Sequence, residues 1–235
     1  MKVGIIAAGR GRRLAQGGIA IPKPLVKVGG RTLVGRALEE AAAAGARRGA
    51  VITTPVFPQV AEYLKGNVWP LPIDVLVWDS PNSLESLLAL KPYLDTPFLL
   101  LTVDAILAPG ALSRFVTQAQ AAPALGVLGL TSYQEDESPI YVEVGSQGRV
   151  ISVGQPQVSP FITAGCYYFH PQVFAYEPRA RELRLGALRQ FLAMLARDNY
   201  PLMGVDVGPA VDVDCPADIE RGELLLSTGT LPWPL

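Results

Sequence analysis

The sequence predicts an α/β fold, a Rossmann-like three-layer α/β/α arrangement around a mixed but mostly parallel sheet. In the first 104 residues, short apolar runs rich in Val, Ile and Leu alternate with helical patterns. That alternation produces parallel strands joined by right-handed crossovers. Further along, shorter strands follow one another across tight turns, which adds antiparallel pairing. With 235 residues, about half of them hydrophobic, the chain suits one large domain covering 1–235.

The elements of the first half follow from periodicity. Continuous apolar runs predict buried strands, and spacings of three and four predict helices. The predicted strands are 2–8, 49–53, 73–78 and 97–103. The predicted helices are 32–45, 56–64 and 83–90.

The second half mixes short strands and helices. The predicted strands are 126–130, 139–144, 150–153, 161–170, 201–205 and 210–213. Helices are predicted over 185–197 and 216–226, and the proline-containing tail 230–235 is expected to be irregular.

Charge is distributed unevenly along the chain. The net charge is −1, which argues against a general nucleic-acid or membrane-surface protein. Yet the first 38 residues carry eight of the 20 Lys and Arg residues and no acid. A basic segment on an otherwise acidic chain indicates a local anionic ligand.

Cysteine usage and hydropathy predict a cytoplasmic protein. The two cysteines, Cys166 and Cys215, lie far apart, in neither a metal-type spacing nor a disulfide framework. The apolar run at the start is too short for a signal-peptide core, and no later run is long enough to span a membrane.

A glycine- and arginine-rich loop follows the first strand. It lacks the Gly-Lys-Ser/Thr ending of a P-loop and the third glycine of a dinucleotide fingerprint. The prolines around Lys23 predict a long irregular loop here instead of a helix. Gly9 and Gly11 allow backbone amides to approach phosphate oxygens, while Arg13 offers a planar guanidinium and Lys23 a positioned charge.

This segment resembles the signature of the sugar-phosphate nucleotidyltransferases. The matching stretches are Ala7-Ala8-Gly9-Arg10-Gly11-Arg12-Arg13-Leu14, Pro22-Lys23-Pro24-Leu25 and Val28-Gly29-Gly30. The resemblance implies the nucleotide-diphospho-sugar transferase fold. It also implies catalytic phosphate contacts for Arg13 and Lys23, and nucleotide contacts for Ala7, Ala8, Gly9, Gly11 and Arg12. The sequence departs from the family pattern at Arg12, where a small hydroxyl residue is common, and over 16–20.

Three aspartates are the candidate metal ligands. Asp104 ends an apolar strand, at the sheet edge where open α/β folds bind ligands. Asp212 and Asp214 alternate along an extended segment, and with Cys215 in place of threonine they resemble the family's Asp-x-Asp-Thr-Pro-x-Asp motif. Carboxylates suit Mg²⁺, which binds one or two of them together with substrate phosphates. Family members differ in which acid of the pair takes the metal, so both are kept.

Two weaker features complete the candidate set. Asn82 and Ser83 begin a helix where the family often recognises the base, although helix capping explains them equally well. Gly165 belongs to a segment that resembles the family's Ala-Gly-x-Tyr stretch near the acceptor, although close strand packing is an equal explanation. The only histidine, His170, follows an apolar strand and is expected to be structural.

Together these features predict a Mg²⁺-dependent nucleotidyltransferase. It would move a nucleoside monophosphate from an NTP to a phosphorylated small molecule, foremost a sugar 1-phosphate, giving an NDP-sugar and pyrophosphate. Open alternatives are cytidylyl transfer to phosphocholine or a polyol phosphate, guanylyl transfer to a molybdenum cofactor, and a catalytically silent nucleotide-binding module. Neither nucleic acid nor membrane is an expected partner, and a homo-oligomer stays open.

Overall fold

The structure, a computed structural model, describes residues 1–133, 139–154 and 159–232. Its strands are β1 (Lys2–Ala7), β2 (Lys27–Val28), β3 (Arg31–Thr32), β4 (Arg48–Thr53), β5 (Ile73–Val77), β6 (Phe98–Thr102), β7 (Ala105–Leu107), β8 (Gly126–Thr131), β9 (Val142–Val144), β10 (Val150–Val153), β11 (Ile162–Phe169), β12 (Leu202–Asp206) and β13 (Ala210–Asp212). Its α-helices are α1 (Arg12–Gln16), α2 (Leu33–Ala43), α3 (Pro58–Gly66), α4 (Ser83–Leu90), α5 (Ala111–Ala121), α6 (Glu177–Glu182), α7 (Leu188–Arg197) and α8 (Pro216–Thr228).

A seven-stranded sheet organises these elements, in the order β12-β8-β11-β6-β1-β4-β5. β1 pairs in parallel with β4 and β6, β4 with β5, and β12 with β8. β11 runs antiparallel to both of its neighbours, β6 and β8. The mixed, mostly parallel sheet predicted from the alternating pattern is therefore confirmed. The carboxyl ends of β1, β4, β5 and β6 meet at one edge.

Apolar side chains cover both faces of this sheet. One core joins sheet residues such as Ile5 and Leu99 to helices α2, α3, α5 and α8. The other core joins residues such as Ile52 and Phe169 to helices α4 and α7. Because a separate set of helices packs on each face of the sheet, the fold has the three predicted layers, helices, sheet and helices.

Several elements differ from the sequence-based prediction, among them the short elements β2, β3, β7 and α6, which were not predicted. The loop after β1 was expected to be irregular, but α1 forms there, closed by the bonds from Ala15 N to Gly11 O and from Gly17 N to Arg13 O. Leu14 is buried beneath this helix and stabilises it. Helix α5 was not predicted, since only five of its eleven residues are buried apolar or small positions. Helix α7 begins at Leu188 instead of residue 185, because Arg184 adopts a left-handed conformation.

The remaining predicted elements appear with boundary shifts of a few residues. The irregular tail predicted over 230–235 lies partly outside the described residues. Within the described part of the chain, none of the helices combines the length and apolar character needed to cross a membrane.

Candidate functional site

The loop after β1 forms one wall of the candidate site. Ala7 ends the buried strand, and the chain then passes through Ala8 and Gly9 to Gly11, which precedes α1. Gly11 has φ of +58°, and a Cβ atom at this position would lie 3.0 Å from the Cβ of Lys23. Only glycine accommodates both the left-handed backbone and this close approach. Gly11 thus fixes the loop directly against Lys23.

Lys23 is the central cation of the site. Pro22 and Pro24 flank it, and residues Lys23–Leu25 form a short 3₁₀-helix that presents the side chain inward. The side chain is only 7% exposed, so an unpaired ammonium would be costly here. Its Nζ atom donates to Asp104 Oδ2 and to Asp214 Oδ1, at 2.6 Å each. The proline-flanked lysine predicted from the sequence is therefore buried between two of the three predicted acids.

The secondary structure brings those two acids together. Asp104 follows β6, and Asp214 lies two residues beyond β13. β7 and β13 pair antiparallel, and the amide of Val213 donates to the carbonyl of Asp104 at 3.0 Å. This pairing joins the end of the parallel sheet to the start of α8, so the segments carrying the two acids are neighbours.

Helix α8 fixes the backbone of the second acid. Its Asp218 carboxylate accepts from the amides of Asp214 and Cys215 at 2.9 and 2.7 Å. Asp218 thus provides a capping contact, and Pro216 occupies the first turn of the helix. The Asp214 side chain itself pairs with Lys23 and with Arg13.

Electrostatics stabilise this group as charged species. Burial alone would lower the pKa of Lys23, but the charges and hydrogen bonds of Asp104 and Asp214 raise it well above its ordinary value. Burial alone would raise the pKa of Asp104, but Lys23 and the Thr102 hydroxyl hold it below its ordinary value. The lysine is an ammonium and the aspartate a carboxylate at neutral pH.

Arg13 extends the charged group toward solvent. Its Nη2 lies 2.6 Å from Asp214 Oδ2, so Asp214 contacts Arg13 with one oxygen and Lys23 with the other. The Arg13 side chain is 44% exposed, and Arg12 is exposed on the same short helix. Two cations and two carboxylates thus form a compensated quartet beside the glycine loop.

A cleft of about 700 Å³ opens next to this quartet. One wall consists of the loop residues Gly9–Arg12, with Ile6 and Ala8 below them. The opposite wall runs from Asp79 to Ser83 and includes Ser86. Six of the seven predicted nucleotide contacts therefore line one cleft: Ala8, Gly9, Gly11, Arg12, Asn82 and Ser83.

Two of those residues have structural hydrogen bonds. Asn82 is the N-cap of α4, its Oδ1 accepting from Glu85 N at 3.0 Å. Ser83 Oγ accepts from Leu188 N at 2.9 Å and so links α4 to α7. Capping explains Asn82, and Ser83 joins two helices. The sequence analysis missed Asp79, which lines the same wall. Its position just after β5, at the carboxyl edge of the sheet, is the signal that could have identified it.

Asp212 lies at a second, smaller cleft, and Gly165 packs beside Asp212. Gly165 has φ of +68°, and a Cβ there would lie 2.5 Å from Ala105 Cβ and 3.7 Å from Asp212 Oδ1. Asp212 lines this cleft with Thr131, Tyr133 and Arg221. Close packing therefore requires the glycine, and the same packing sets it beside Asp212.

The three predicted metal ligands do not converge on one point. Among residues 1–133, 139–154 and 159–232, no three acidic, histidine or cysteine side chains form a metal-binding group. Asp104 and Asp214 nevertheless share a cation, the Lys23 ammonium, through one oxygen each. A pair of carboxylates around one positive centre fits Mg²⁺, which takes its other ligands from phosphates and water.

Known proteins match the chain in family and in fold. The family model of the MobA-like NTP transferase domain matches residues 3–198. No curated protein matches the sequence significantly. Among solved structures, the inositol-1-phosphate CTP transferase from T. maritima matches with a TM-score of 0.81 at 16% identity, over 98% of both chains. A Bacillus anthracis protein assigned as a glucose-1-phosphate thymidylyltransferase, solved in complex with a sucrose, matches with a TM-score of 0.80 at 15% identity. That match covers 100% of this chain and 98% of the other.

Proposed function

The chain belongs to the family of MobA-like NTP transferase domains, and we propose that it is a Mg²⁺-dependent nucleotidyltransferase acting on a phosphorylated small molecule. The proposed reaction transfers a nucleoside monophosphate from an NTP to a sugar 1-phosphate, releasing pyrophosphate. The observation that carries the proposal is the quartet of Arg13, Lys23, Asp104 and Asp214 beside the cleft of the glycine loop.

The two cations are the proposed phosphate-binding groups. The planar guanidinium of Arg13 matches the geometry of phosphate oxygens, and the Lys23 ammonium is a compact charge held by its prolines. Both lie beside the glycine loop, whose backbone amides are further proposed donors to the anion. Charge that develops on the phosphates during transfer would be stabilised by groups already in position.

Asp104 and Asp214 are the proposed ligands of Mg²⁺. When bound, the ion supplies charge neutralisation to the reacting phosphates. The acceptor phosphate is ionised at neutral pH, so transfer needs no side chain to remove a proton. The chain's own contribution is to hold the triphosphate and the acceptor in line.

The smaller cleft is the proposed acceptor site. Asp212 lines it together with hydroxyl-bearing residues such as Thr131 and Tyr133, a lining that suits a polyhydroxylated molecule. Gly165 packs beside Asp212. The solved structures of similar fold, which act by their titles on inositol 1-phosphate and glucose 1-phosphate, add support for this acceptor class. Phosphocholine, polyol phosphates and a molybdenum cofactor are the competing acceptors.

A pyrophosphate-release screen tests the proposal. Four NTPs are combined with sugar 1-phosphates, inositol phosphate, phosphocholine and polyol phosphates, with Mg²⁺ or with EDTA. We expect Mg²⁺-dependent release with at least one sugar 1-phosphate. Asp104→Asn should lower kcat about 100-fold or more, because it removes a proposed metal ligand.

Asp95→Asn is the matched control. Asp95 also pairs with a lysine, Lys2, at 2.6 Å, but its side chain is 67% exposed and it lies at the opposite end of β6 from Asp104. This variant should retain wild-type activity. Full activity in Asp104→Asn would contradict the role of Asp104. Nucleotide binding without pyrophosphate release in the presence of any of the acceptors would instead favour a catalytically silent nucleotide-binding module.

A further inference from the structure

The segment 16–20, where this chain departs from the family pattern, packs against helix α8. Gly17 is the C-cap of α1, and its amide donates to the Arg13 carbonyl at 2.9 Å. A Cβ atom at Gly17 would lie 2.6 Å from both Cγ and Cδ of Pro216, the first residue of α8. Carbon atoms that are not bonded to each other pack about 3.5–4.0 Å apart. The Gly17–Pro216 contact therefore requires that residue 17 has no side chain.

Space, and not backbone conformation, is the reason for this glycine. Gly17 has φ of −78°, which any L residue can adopt. Its neighbour Gly18 has φ of +90°, and among the described residues no atom would lie within 4 Å of a Cβ there. The two adjacent glycines thus differ in purpose, because Gly18 turns the chain and Gly17 makes room for the ring of Pro216.

Each side of the Gly17–Pro216 contact carries a charged residue of the candidate site. Arg13 lies four residues before Gly17 on α1, and Asp214 lies two residues before Pro216. Arg13 Nη2 is 2.6 Å from Asp214 Oδ2. The bond from the Asp214 amide to the Asp218 carboxylate, 2.9 Å long, joins Asp214 to the first turn of α8. The ion pair and the Gly17–Pro216 contact therefore connect the same two segments.

The two helices are anchored to different degrees. In α8, Gly222 packs so closely that a Cβ there would lie 2.8 Å from Ile106 Cδ1. Of the five described residues of α1, Leu14 alone is buried. A side chain at residue 17 would therefore displace α1 and leave α8 in its place. Arg13 would move with α1, while the core beneath α8 would remain packed.

We propose that Gly17 and Pro216 are positioning residues, whose contact sets the distance between Arg13 and Asp214. This inference rests on the proposed function, in which Arg13 binds phosphate and Asp214 binds Mg²⁺. Ligands that engage those two side chains compete with the ion pair between them. The Gly17–Pro216 contact involves no group that a ligand would engage, so it persists when the ion pair opens. It keeps the phosphate-binding and metal-binding segments in position for the reaction.

The test replaces Gly17 with alanine and measures pyrophosphate release in the presence of Mg²⁺. Gly17→Ala should raise the KM for NTP about 10-fold, the scale of one weakened charge-assisted hydrogen bond. The KM for the acceptor should stay unchanged, because the described residues that line the proposed acceptor cleft include none from α1. Gly66→Ala is the matched control, since Gly66 ends α3 and no described atom would lie within 4 Å of a Cβ there. It should keep wild-type kinetics.

Removing the ring of Pro216 should rescue the variant. Pro216→Ala deletes the Cγ and Cδ atoms that the new Cβ would meet. The KM for NTP of the Gly17→Ala, Pro216→Ala double variant should therefore return to within about twofold of that of Pro216→Ala alone. Pro58→Ala is the matched control, because Pro58 is the first residue of α3. Combined with Gly17→Ala, it should give no recovery.

A second comparison determines whether the displacement acts through Arg13. In an Arg13→Ala background the guanidinium is already absent, so moving α1 has little left to weaken. Adding Gly17→Ala to Arg13→Ala should then raise the KM for NTP by less than about twofold, because changes that act on one contact are not additive.

Each outcome has a separate meaning. Unchanged kinetics in Gly17→Ala, no rescue by Pro216→Ala, or a further 10-fold rise in the Arg13→Ala background would each overturn the positioning role and leave the proposed transferase intact. Loss of the folded state in Gly17→Ala, followed by circular dichroism, would also overturn it, because α1 would then not be the element that moves. Absence of pyrophosphate release by the wild-type protein with every NTP and acceptor would refute the proposed function itself.

Discussion

Replacing Lys23 with methionine should destabilise the protein and expose its metal-binding capacity. Methionine approximates the length of the aliphatic stem but removes the ammonium. Asp104 and Asp214 would then lose a 2.6 Å charge-assisted hydrogen bond each. Such bonds contribute about 1.5–3 kcal/mol, and removing one member of a buried ion pair costs about 3–5 kcal/mol. Both acids are about a quarter exposed, so water recovers part of that loss.

The expected destabilisation is therefore about 2–4 kcal/mol, or roughly a 5–15 °C fall in Tm for a domain of this size. The two carboxylates would be left facing each other without a cation. A divalent ion binding there at ten times its Kd would restore about 1.4 kcal/mol. In the wild type the ammonium already occupies that place, so Mg²⁺ alone should barely change the Tm.

Thermal unfolding followed by circular dichroism, with and without Mg²⁺, measures both effects. Lys27→Met is the control, because Lys27 is exposed on β2, in the same basic segment. It should unfold at the wild-type temperature. The reasoning fails if Lys23→Met unfolds at the wild-type temperature. The metal assignment fails if Mg²⁺ does not raise the Tm of Lys23→Met. It also fails if Mg²⁺ raises the Tm of the Lys23→Met, Asp104→Asn double variant by the same amount.

Three further predictions concern stability and phosphate binding. Burial raises the pKa of Glu40 to about 7, so the folded state loses up to about 3 kcal/mol as pH rises from about 4.5 through 7. In urea titrations, Glu40→Gln should therefore be more stable than wild type at pH 8 but not at pH 5. Gly165→Ala should unfold more easily, by about 2–4 kcal/mol, because its Cβ would lie 2.5 Å from Ala105 Cβ at positive φ; an unchanged denaturation midpoint would contradict this. Arg13→Lys should retain a charge near Asp214 but raise the KM for NTP about 10-fold in the release assay, since a lysine lacks the planar donor pair; an unchanged KM would exclude Arg13 from phosphate binding.

Local periodicity was sufficient to predict most of the fold. Three of the four parallel strands of the first half, β1, β4 and β6, are mostly buried apolar runs, and burial on both faces of a sheet selects for that pattern. The fourth strand, β5, lies at the edge of the sheet and is only partly buried. Helix α5 escaped prediction because its buried stripe includes alanines beside polar residues, so the pattern contrast is weak. The start of α7 was misplaced because a left-handed residue, Arg184, interrupts an otherwise helical composition.

The candidate site was predictable residue by residue but not as an arrangement. The motifs identify Lys23, Asp104 and Asp214 separately, yet the contacts between them span 81 and 191 residues of chain. Only the β7–β13 pairing shows that one ammonium joins both carboxylates. Asp79 belongs to none of the motifs, and only the fold, which sets it opposite the glycine loop, shows that it lines the cleft.

The contacts also revise the meaning of the basic N-terminal segment. Six of its cations pair with acids: Lys2, Arg10, Arg13, Lys23, Arg31 and Arg36. The site is thus electrically compensated before any ligand arrives. A triphosphate that binds Arg13 and Lys23 would compete for them with Asp104 and Asp214. Its negative charge would also repel the two carboxylates. A divalent cation bound by the carboxylates would remove that repulsion and would leave the Lys23 ammonium to pair with phosphate. The proposed metal and the nucleotide should therefore each strengthen the binding of the other. On this proposal the same two carboxylates would hold the lysine before the nucleotide binds and the metal afterwards.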